Sequence, residues 1–220
     1  MTESASSARP WVVVVGGFLG AGKTTLLLAA ARELKRRGLK SAIILNDQGE
    51  ALVDTEYARL NELPSGEVTG GCFCCRFSDL LDVMDALRSH APDVILAEPV
   101  GSCTDISATV LHPLREYSDT YRIAPLTVLV DPARARELLG EDADPRLKFL
   151  FDNQLEEADL ICFTKSDVSP EYPALKGRSV RQMSARSGQG VAAWLDEALG
   201  GTLSAGSTIL EIDYEQYAQA

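Results

Sequence analysis

The stretch Gly17-Phe18-Leu19-Gly20-Ala21-Gly22-Lys23-Thr24 limits what this chain can fold into more than any other. It follows Trp11 to Val15, an aliphatic run that reads as a buried strand. It leads into Thr24 to Arg37, which reads as a helix. Leu26, Leu27, Ala30, Ala31 and Leu34 recur along one helix face, and Arg32, Lys35, Arg36 and Arg37 are polar. Strand, glycine loop and helix in this order fit the G-x-x-x-x-G-K-[ST] pattern of a P-loop. Glycines let backbone N–H groups close on phosphate oxygens, and the helix N-terminus adds its positive end. Lys23 is expected at the β- and γ-phosphates and the Thr24 hydroxyl at Mg2+. Gly17, Phe18, Leu19, Gly20, Ala21, Gly22 and Thr25 complete the phosphate-binding set. The bland alternative is a chance glycine turn between a strand and a helix.

Strands and helices alternate from Trp11 to about Gly200. Further strands are expected at Ser41 to Leu45, Glu67 to Gly71, Asp93 to Ala97, Leu126 to Val130, Leu160 to Phe163 and Ser179 to Met183. Helices are expected at Ser78 to Ser89 with Ser78 as N-cap, at Thr104 to Tyr117 with an interruption near Pro113, at Arg146 to Glu157 and at Gly190 to Leu199. This alternation predicts a three-layer α/β/α P-loop NTPase with a mostly parallel central sheet, spanning 11–200. Its ligands should sit beyond the carboxyl ends of the strands. Residues 1–10 read as a disordered lead-in. Residues 201–220 read as a tail, either a strand at Thr208 to Ile212 docked on the sheet edge or the start of a further segment.

The formal net charge of -11 argues against a broad nucleic-acid footprint and against binding an anionic membrane. No apolar run approaches the ~18 residues of a membrane span. Met1 to Pro10 lacks the apolar core of a secretory signal. The five cysteines are odd in number, and three fall within Cys72-Phe73-Cys74-Cys75. That is no disulfide framework, and it points to reduced thiols in a cytoplasmic protein.

Two further stretches extend the nucleotide pocket. Asp93 to Ala97 runs into Glu98-Pro99-Val100-Gly101. An acid at a strand end suits Mg2+ coordination through water, and a glycine three residues later lets its N–H approach the γ-phosphate. Aspartate is usual at this position. The longer glutamate fits an outer contact better, and a solvated strand-end Glu98 is the alternative. Leu160 to Phe163 opens into Thr164-Lys165-Ser166-Asp167, which fits [NT]-K-x-D. The Asp167 carboxylate can accept from guanine N1–H and the 2-amino group, the Lys165 stem can cover the base, and Thr164 can hold the loop. Ser184-Ala185-Arg186 stands where S-A-[KR] would present backbone N–H to guanine O6. The alternative is that Asp167 is a turn residue before Pro170.

Three thiolates at Cys72, Cys74 and Cys75 can converge on one soft ion such as Zn2+ or Cu(I). The helix that follows is expected to help keep them ionised. Buried structural cysteines and a redox pair are the alternatives. Cys103, two residues after Gly101, is a candidate fourth ligand for tetrahedral Zn2+, its loop being expected to leave a strand adjacent to the one that feeds Cys72. Otherwise Cys103 is a small buried residue.

G-x-x-G-A-G-K-T-T, G-G-C-x-C-C, E-x-x-G and [NT]-K-x-D together resemble the CobW branch of the CobW–HypB–UreG GTPases, over about Val12 to Leu199. The resemblance implies binding of GTP and GDP with Mg2+, slow GTP hydrolysis, and insertion or trafficking of Zn2+ or another transition metal. An apo-metalloprotein client and a nucleotide-dependent homodimer are implied partners. Asn46-Asp47-Gln48-Gly49-Glu50, with Asp54, resembles the family's N-E-x-G-E…D switch segment. Asp47 then becomes a candidate at Mg2+ or the attacking water, alongside Lys23, Thr24 and Glu98. Glu50 becomes a candidate oxygen ligand for the transition metal; both acids are otherwise solvated loop residues. Three features depart from the pattern. Ser102-Cys103-Thr104-Asp105 replaces the common small-residue form, and His90 and His112, the only histidines, exclude a histidine-rich metal store. A domain usually follows the GTPase domain in this branch, and residues 201–220 do not supply one. Two rival readings are an enzyme that uses nucleotide on a small metabolite, with structural cysteines, and a non-catalytic nucleotide-gated metal sensor.

Overall fold

A computed structural model describes residues 9–46, 63–175 and 177–210. Its core is one sheet of eight parallel strands: β1 Trp11–Gly17, β2 Ser41–Asn46, β3 Ser65–Val68, β4 Val94–Glu98, β5 Arg122–Ile123, β6 Thr127–Val130, β7 Leu160–Phe163 and β8 Val180–Gln182. The order across the sheet is β3-β2-β4-β1-β6-β7-β8, and short β5 pairs with β1 beside this path. β1 is therefore central, flanked by β4 and β6, and its carboxyl end is a topological switch point.

The unbroken valines of β1 are explained by this position, because a strand covered on both faces reads as a continuous apolar run. Val12 and Val14 join one core with Ile95, Val128, Leu80 and Phe151, whereas Val13 and Val15 join the other with Leu96, Leu129, Leu27 and Trp194. Helices α1 Lys23–Arg36 and α6 Val191–Leu199 cover the second face. Helices α2 Phe77–Arg88, α4 Pro132–Leu138 and α5 Pro145–Glu157 cover the first. Between β4 and β5 runs α3, a π turn Ser107–Leu111, an α turn His112–Leu114 and a 3-10 turn Arg115–Tyr117. The fold class thus matches the three layers expected from the alternation.

Several elements depart from expectation for definable reasons. β1 continues to Gly17, where φ is +129° and a Cβ would lie 2.4 Å from the Leu129 carbonyl oxygen, so only glycine carries the strand into the loop. β3 is Ser65–Val68 rather than Glu67 to Gly71. Ser78 is not an N-cap: the turn of the cysteine loop runs straight into α2, whose N-cap is Arg76 with no side-chain cap. The interruption expected near Pro113 takes the form of a change of helix type, from π before His112 to 3-10 after Leu114, while the chain stays helical. Helix α4 lies outside the expected helices, although Asp131 at its N-cap accepts from Ala133 N–H and Pro132 follows, a standard start signal. Thr208 to Leu210 form no strand. The tail before them is held by the Asp159 carboxylate, which accepts from Gly206 N–H at 2.6 Å and Ser207 N–H at 3.0 Å.

Candidate functional site

The P-loop joins β1 to α1 at the centre of the carboxyl edge. Ala21 N–H donates to the Phe18 carbonyl at 3.1 Å, and Gly22 is the left-handed N-cap of α1. The Phe18 ring packs edge-on against Phe151 of α5 with centroids 6.0 Å apart. Leu19, Gly20 and Thr25 are exposed at the mouth, and Leu19 is 81% exposed. Lys23 is buried, and its ammonium donates to the carbonyls of Gly17 at 2.9 Å and Phe18 at 3.2 Å. Burial holds its pKa below the usual lysine value, against the opposing pull of Glu98 at 3.9 Å. Such a lysine gains most from an anion brought to it.

Glu98, the last residue of β4, accepts from the Thr24 hydroxyl at 2.7 Å. Burial raises its pKa, with Thr24 and Lys23 opposing that shift. A hydroxyl and a carboxylate meeting beside a buried lysine form an oxygen donor set of the kind Mg2+ takes in P-loop proteins. Gly101 lies directly over the loop: a Cβ there would stand 2.7 Å from Leu19 N and 3.2 Å from Lys23 Nζ. The segment from Glu98 to Gly101 therefore rests on the P-loop backbone at Leu19 and on Lys23.

At the other end of the pocket, Thr164 is buried and its hydroxyl donates to the Ala21 carbonyl at 2.8 Å, which ties the Thr164–Asp167 loop to the P-loop. Lys165 has φ +57° and its ammonium contacts Asp131 Oδ2 at 2.5 Å. Burial pushes the Asp131 carboxyl up, but Lys165 and the Ala133 N–H outweigh it and the net shift is downward. Asp167 is exposed, and the Ser184 hydroxyl lowers its pKa. Ser166 N–H donates to the Met183 carbonyl at 3.2 Å, so the loops carrying Asp167 and Ser184-Ala185 lie side by side. The candidate base-binding residues are thus brought to one place, with Asp167 exposed to solvent there.

The cysteine loop follows β3. Phe73 is fully buried in the core and pins the loop between Cys72 and Cys74. Asn46, at the end of β2, donates to the carbonyls of Val68 at 2.9 Å and Gly71 at 2.8 Å and so fixes the loop's entry. The Sγ atoms of Cys72, Cys74 and buried Cys103 lie within 4.8 Å of one another. Exposed Cys75 stands 3.2 Å from Cys72 and 4.0 Å from Cys74.

Two expectations fail here. β2 separates β3 from β4, so the loops of Cys72 and Cys103 do not leave adjacent strands. They meet because both turn over the carboxyl edge above β2. Nor does α2 lower the pKa of Cys72 or Cys74. Burial pushes Cys72 up to about 11, and the Cys103 thiol, followed by burial, pushes Cys74 up. At Cys74 the Cys103 thiol opposes deprotonation, whereas Cys72 and Cys75 favour it.

Sequence reading missed Asp131 and Gln154. Buried Gln154 of α5 donates through Nε2 to the carbonyls of Gly101 at 3.0 Å and Cys103 at 2.9 Å, and so clamps the loop between the P-loop and the thiols. The Asp-Pro start of α4 was the available signal for Asp131. None marked Gln154. Asp47, Glu50 and Asp54 lie outside the described residues. His90 and His112 are exposed and apart from the cysteines.

A family model for the CobW/HypB/UreG nucleotide-binding domain matches residues 11–190. The zinc chaperone YjiA of Escherichia coli K12 is 30% identical over 180 residues, covering 77% of this chain and 54% of its own. The zinc chaperone CobW of a Sinorhizobium species is 27% identical over 230 residues, covering 88% of this chain and 64% of its own. The chain thus spans 54% and 64% of the length of these two relatives. Among solved structures, HypB from Helicobacter pylori in complex with nickel superposes with a TM-score of 0.64 at 17% identity, covering 91% of this chain and 92% of that one. At that identity the likeness concerns the fold. No helix among the described residues is long and apolar enough to cross a membrane.

Proposed function

This chain belongs to the CobW/HypB/UreG nucleotide-binding family, and from that premise we propose that it is a Mg2+-dependent GTPase that couples nucleotide state to a thiolate site for Zn2+ or another transition metal. It acts as the nucleotide module of a metallochaperone serving an apo-metalloprotein client. One observation carries the reading. The segment from Glu98 to Cys103 runs from the Thr24 hydroxyl, across Leu19 and Lys23, to the sulfurs of Cys72 and Cys74. Whatever moves this segment at the phosphate end moves a sulfur at the other.

Each residue then has a role. Lys23 exchanges the Gly17 and Phe18 carbonyls for phosphate oxygens. The N–H groups from Gly17 to Thr25 surround the phosphates, and Thr24 and Glu98 are the groups that would hold Mg2+. Mg2+, when bound, neutralises phosphate charge. Gly101 N–H faces the terminal phosphate, so presence or loss of that phosphate sets the position of the loop. Thr164 fixes the base loop, Lys165 covers the base, Asp167 selects guanine, and Ser184-Ala185 offers backbone N–H to its O6. Asp47 and Glu50 are taken as switch-segment acids near the nucleotide and the metal. The domain spans 11–200, with 201–220 as a tail. Similarity to proteins named as zinc chaperones supports zinc as cargo.

The test pairs nucleotide titration with hydrolysis. GTP should bind far better than ATP, and Asp167→Asn should cost GTP affinity about 10²-fold or more, because two base donors lose their acceptor. Equal binding of ATP and GTP would overturn the guanine assignment. Hydrolysis is then measured with and without Zn2+ under reducing conditions. A rate indifferent to Zn2+, together with no bound metal, would favour a nucleotide enzyme with structural cysteines.

A further inference from the structure

The metal site of this reading still has to be assigned to particular sulfurs, and the inference below rests on that reading. The local motif Cys-x-Cys-Cys directs attention to Cys72, Cys74 and Cys75. The tertiary arrangement adds a fourth sulfur. The Sγ atoms of Cys72, Cys74 and Cys103 all lie within 4.8 Å of one another, and Cys75 stands 3.2 Å from Cys72 and 4.0 Å from Cys74, so burial rather than distance separates the two trios. At Zn–S bonds of about 2.3 Å, tetrahedral geometry separates sulfurs by about 3.8 Å, so the trio with Cys103 closes on an ion with small side-chain movements. Cys75 touches Cys72 and Cys74 from the solvent side and is exposed, whereas Cys103 is 4% exposed at the floor.

We propose that a thiophilic divalent ion is seated on Cys72, Cys74 and Cys103, and that Cys75 closes the site on its solvent side as the ligand that exchanges with an incoming thiol or imidazole. Formation of the seat releases the thiol protons to water as the metal–sulfur bonds form. Cys103 is the buried anchor, and it links metal to nucleotide through covalent structure. It lies two residues from Gly101, which rests on Leu19 N and Lys23 Nζ. Gln154 ties the Gly101 and Cys103 carbonyls into one unit, at 3.0 and 2.9 Å. A displacement of Gly101 by the terminal phosphate therefore displaces Cys103, and either ligand biases the other's site by the same factor. A site built on Cys72, Cys74 and Cys75 alone would lie within one loop with no covalent connection to the phosphate contact.

The probe is Co2+, whose thiolate charge-transfer bands count sulfur ligands, followed by Zn2+ competition. The 220-residue chain is loaded with GDP or a non-hydrolysable GTP analogue under reducing conditions. Wild type, Cys103→Ala and Cys75→Ser are compared, with nucleotide binding as the check of folding. Cys103→Ala should lose at least about 100-fold in affinity, with a matching loss of charge-transfer intensity. The difference of about 10-fold between nucleotide states expected for wild type should vanish in it. Cys75→Ser should stay within about 10-fold of wild type, with weaker intensity than wild type. If Cys103→Ala fails to bind nucleotide, the exposed Cys75→Ser variant decides alone. Retained affinity with thiolate bands supports the seat on Cys72, Cys74 and Cys103, and collapse of affinity overturns it. Loss on Cys75→Ser with no change on Cys103→Ala also overturns it while leaving the metallochaperone reading intact. Wild type that binds no Co2+ in either nucleotide state overturns that reading itself.

Discussion

Glu157 is a buried carboxyl on which a quantitative test can be built. It ends α5, is fully buried, and accepts from Ser107 N–H at 3.1 Å at the entry to α3, while the Ser107 hydroxyl contacts the Glu157 carbonyl. Burial pushes its pKa from 4.5 up to about 8, with Asp105 adding to the shift and backbone N–H groups opposing it. The folded state therefore holds this proton more tightly than the unfolded state. Its stabilising contribution is complete below about pH 4.5 and is lost as pH rises to about 8. At ~1.4 kcal/mol per pH unit, the difference between pH 5 and pH 9 is about 4 kcal/mol. Glu157→Gln keeps an acceptor for Ser107 and removes the titration. In urea denaturation the variant should lie within about 1 kcal/mol of wild type at pH 5 and exceed it by about 4 kcal/mol at pH 9. The comparison cancels the titrating groups that do not act on Glu157. Stability curves that run parallel from pH 5 to 9 would mean that Glu157 is already ionised in the fold, and the burial argument would be wrong.

Lys23→Ala should abolish GTP hydrolysis and weaken nucleotide binding, as read by turnover and titration; full turnover in the variant would place the phosphate site elsewhere. Gly101→Ala puts a methyl 2.7 Å from Leu19 N and should cost about 1–3 kcal/mol of stability, with a larger loss in hydrolysis than in GDP binding. Phe73→Ala removes the fully buried anchor of the cysteine loop and should cost about 3–5 kcal/mol in thermal or urea unfolding. Asp131→Ala frees the Lys165 ammonium from its 2.5 Å contact and should raise the dissociation rate of guanine nucleotide, measured by stopped-flow displacement.

What the amino-acid sequence determined by itself is local. The glycines, lysine and threonine from Gly17 to Thr24 specify a phosphate loop because backbone conformation and a helix N-terminus are properties of neighbouring residues. The alternation of apolar runs specifies a parallel three-layer fold because strands covered on both faces must be continuous and helices must return the chain. Thr164 and Asp167 were legible for the same reason, since a tetrapeptide at a strand end carries its own geometry. What only the tertiary structure decided is which of these ends meet. The placement of β2 between β3 and β4 could not be read from periodicity, because each apolar run suits any central position in the sheet. Gln154 looks like an ordinary polar residue of a helix until α5 packs beneath the loop whose carbonyls it holds. The partnership of Lys165 with Asp131 depends on β6 and β7 being neighbours. Cys103 joined Cys72 and Cys74 rather than packing alone because two loops from non-adjacent strands cross above β2, a contact between residues about thirty apart in the chain that no local pattern encodes.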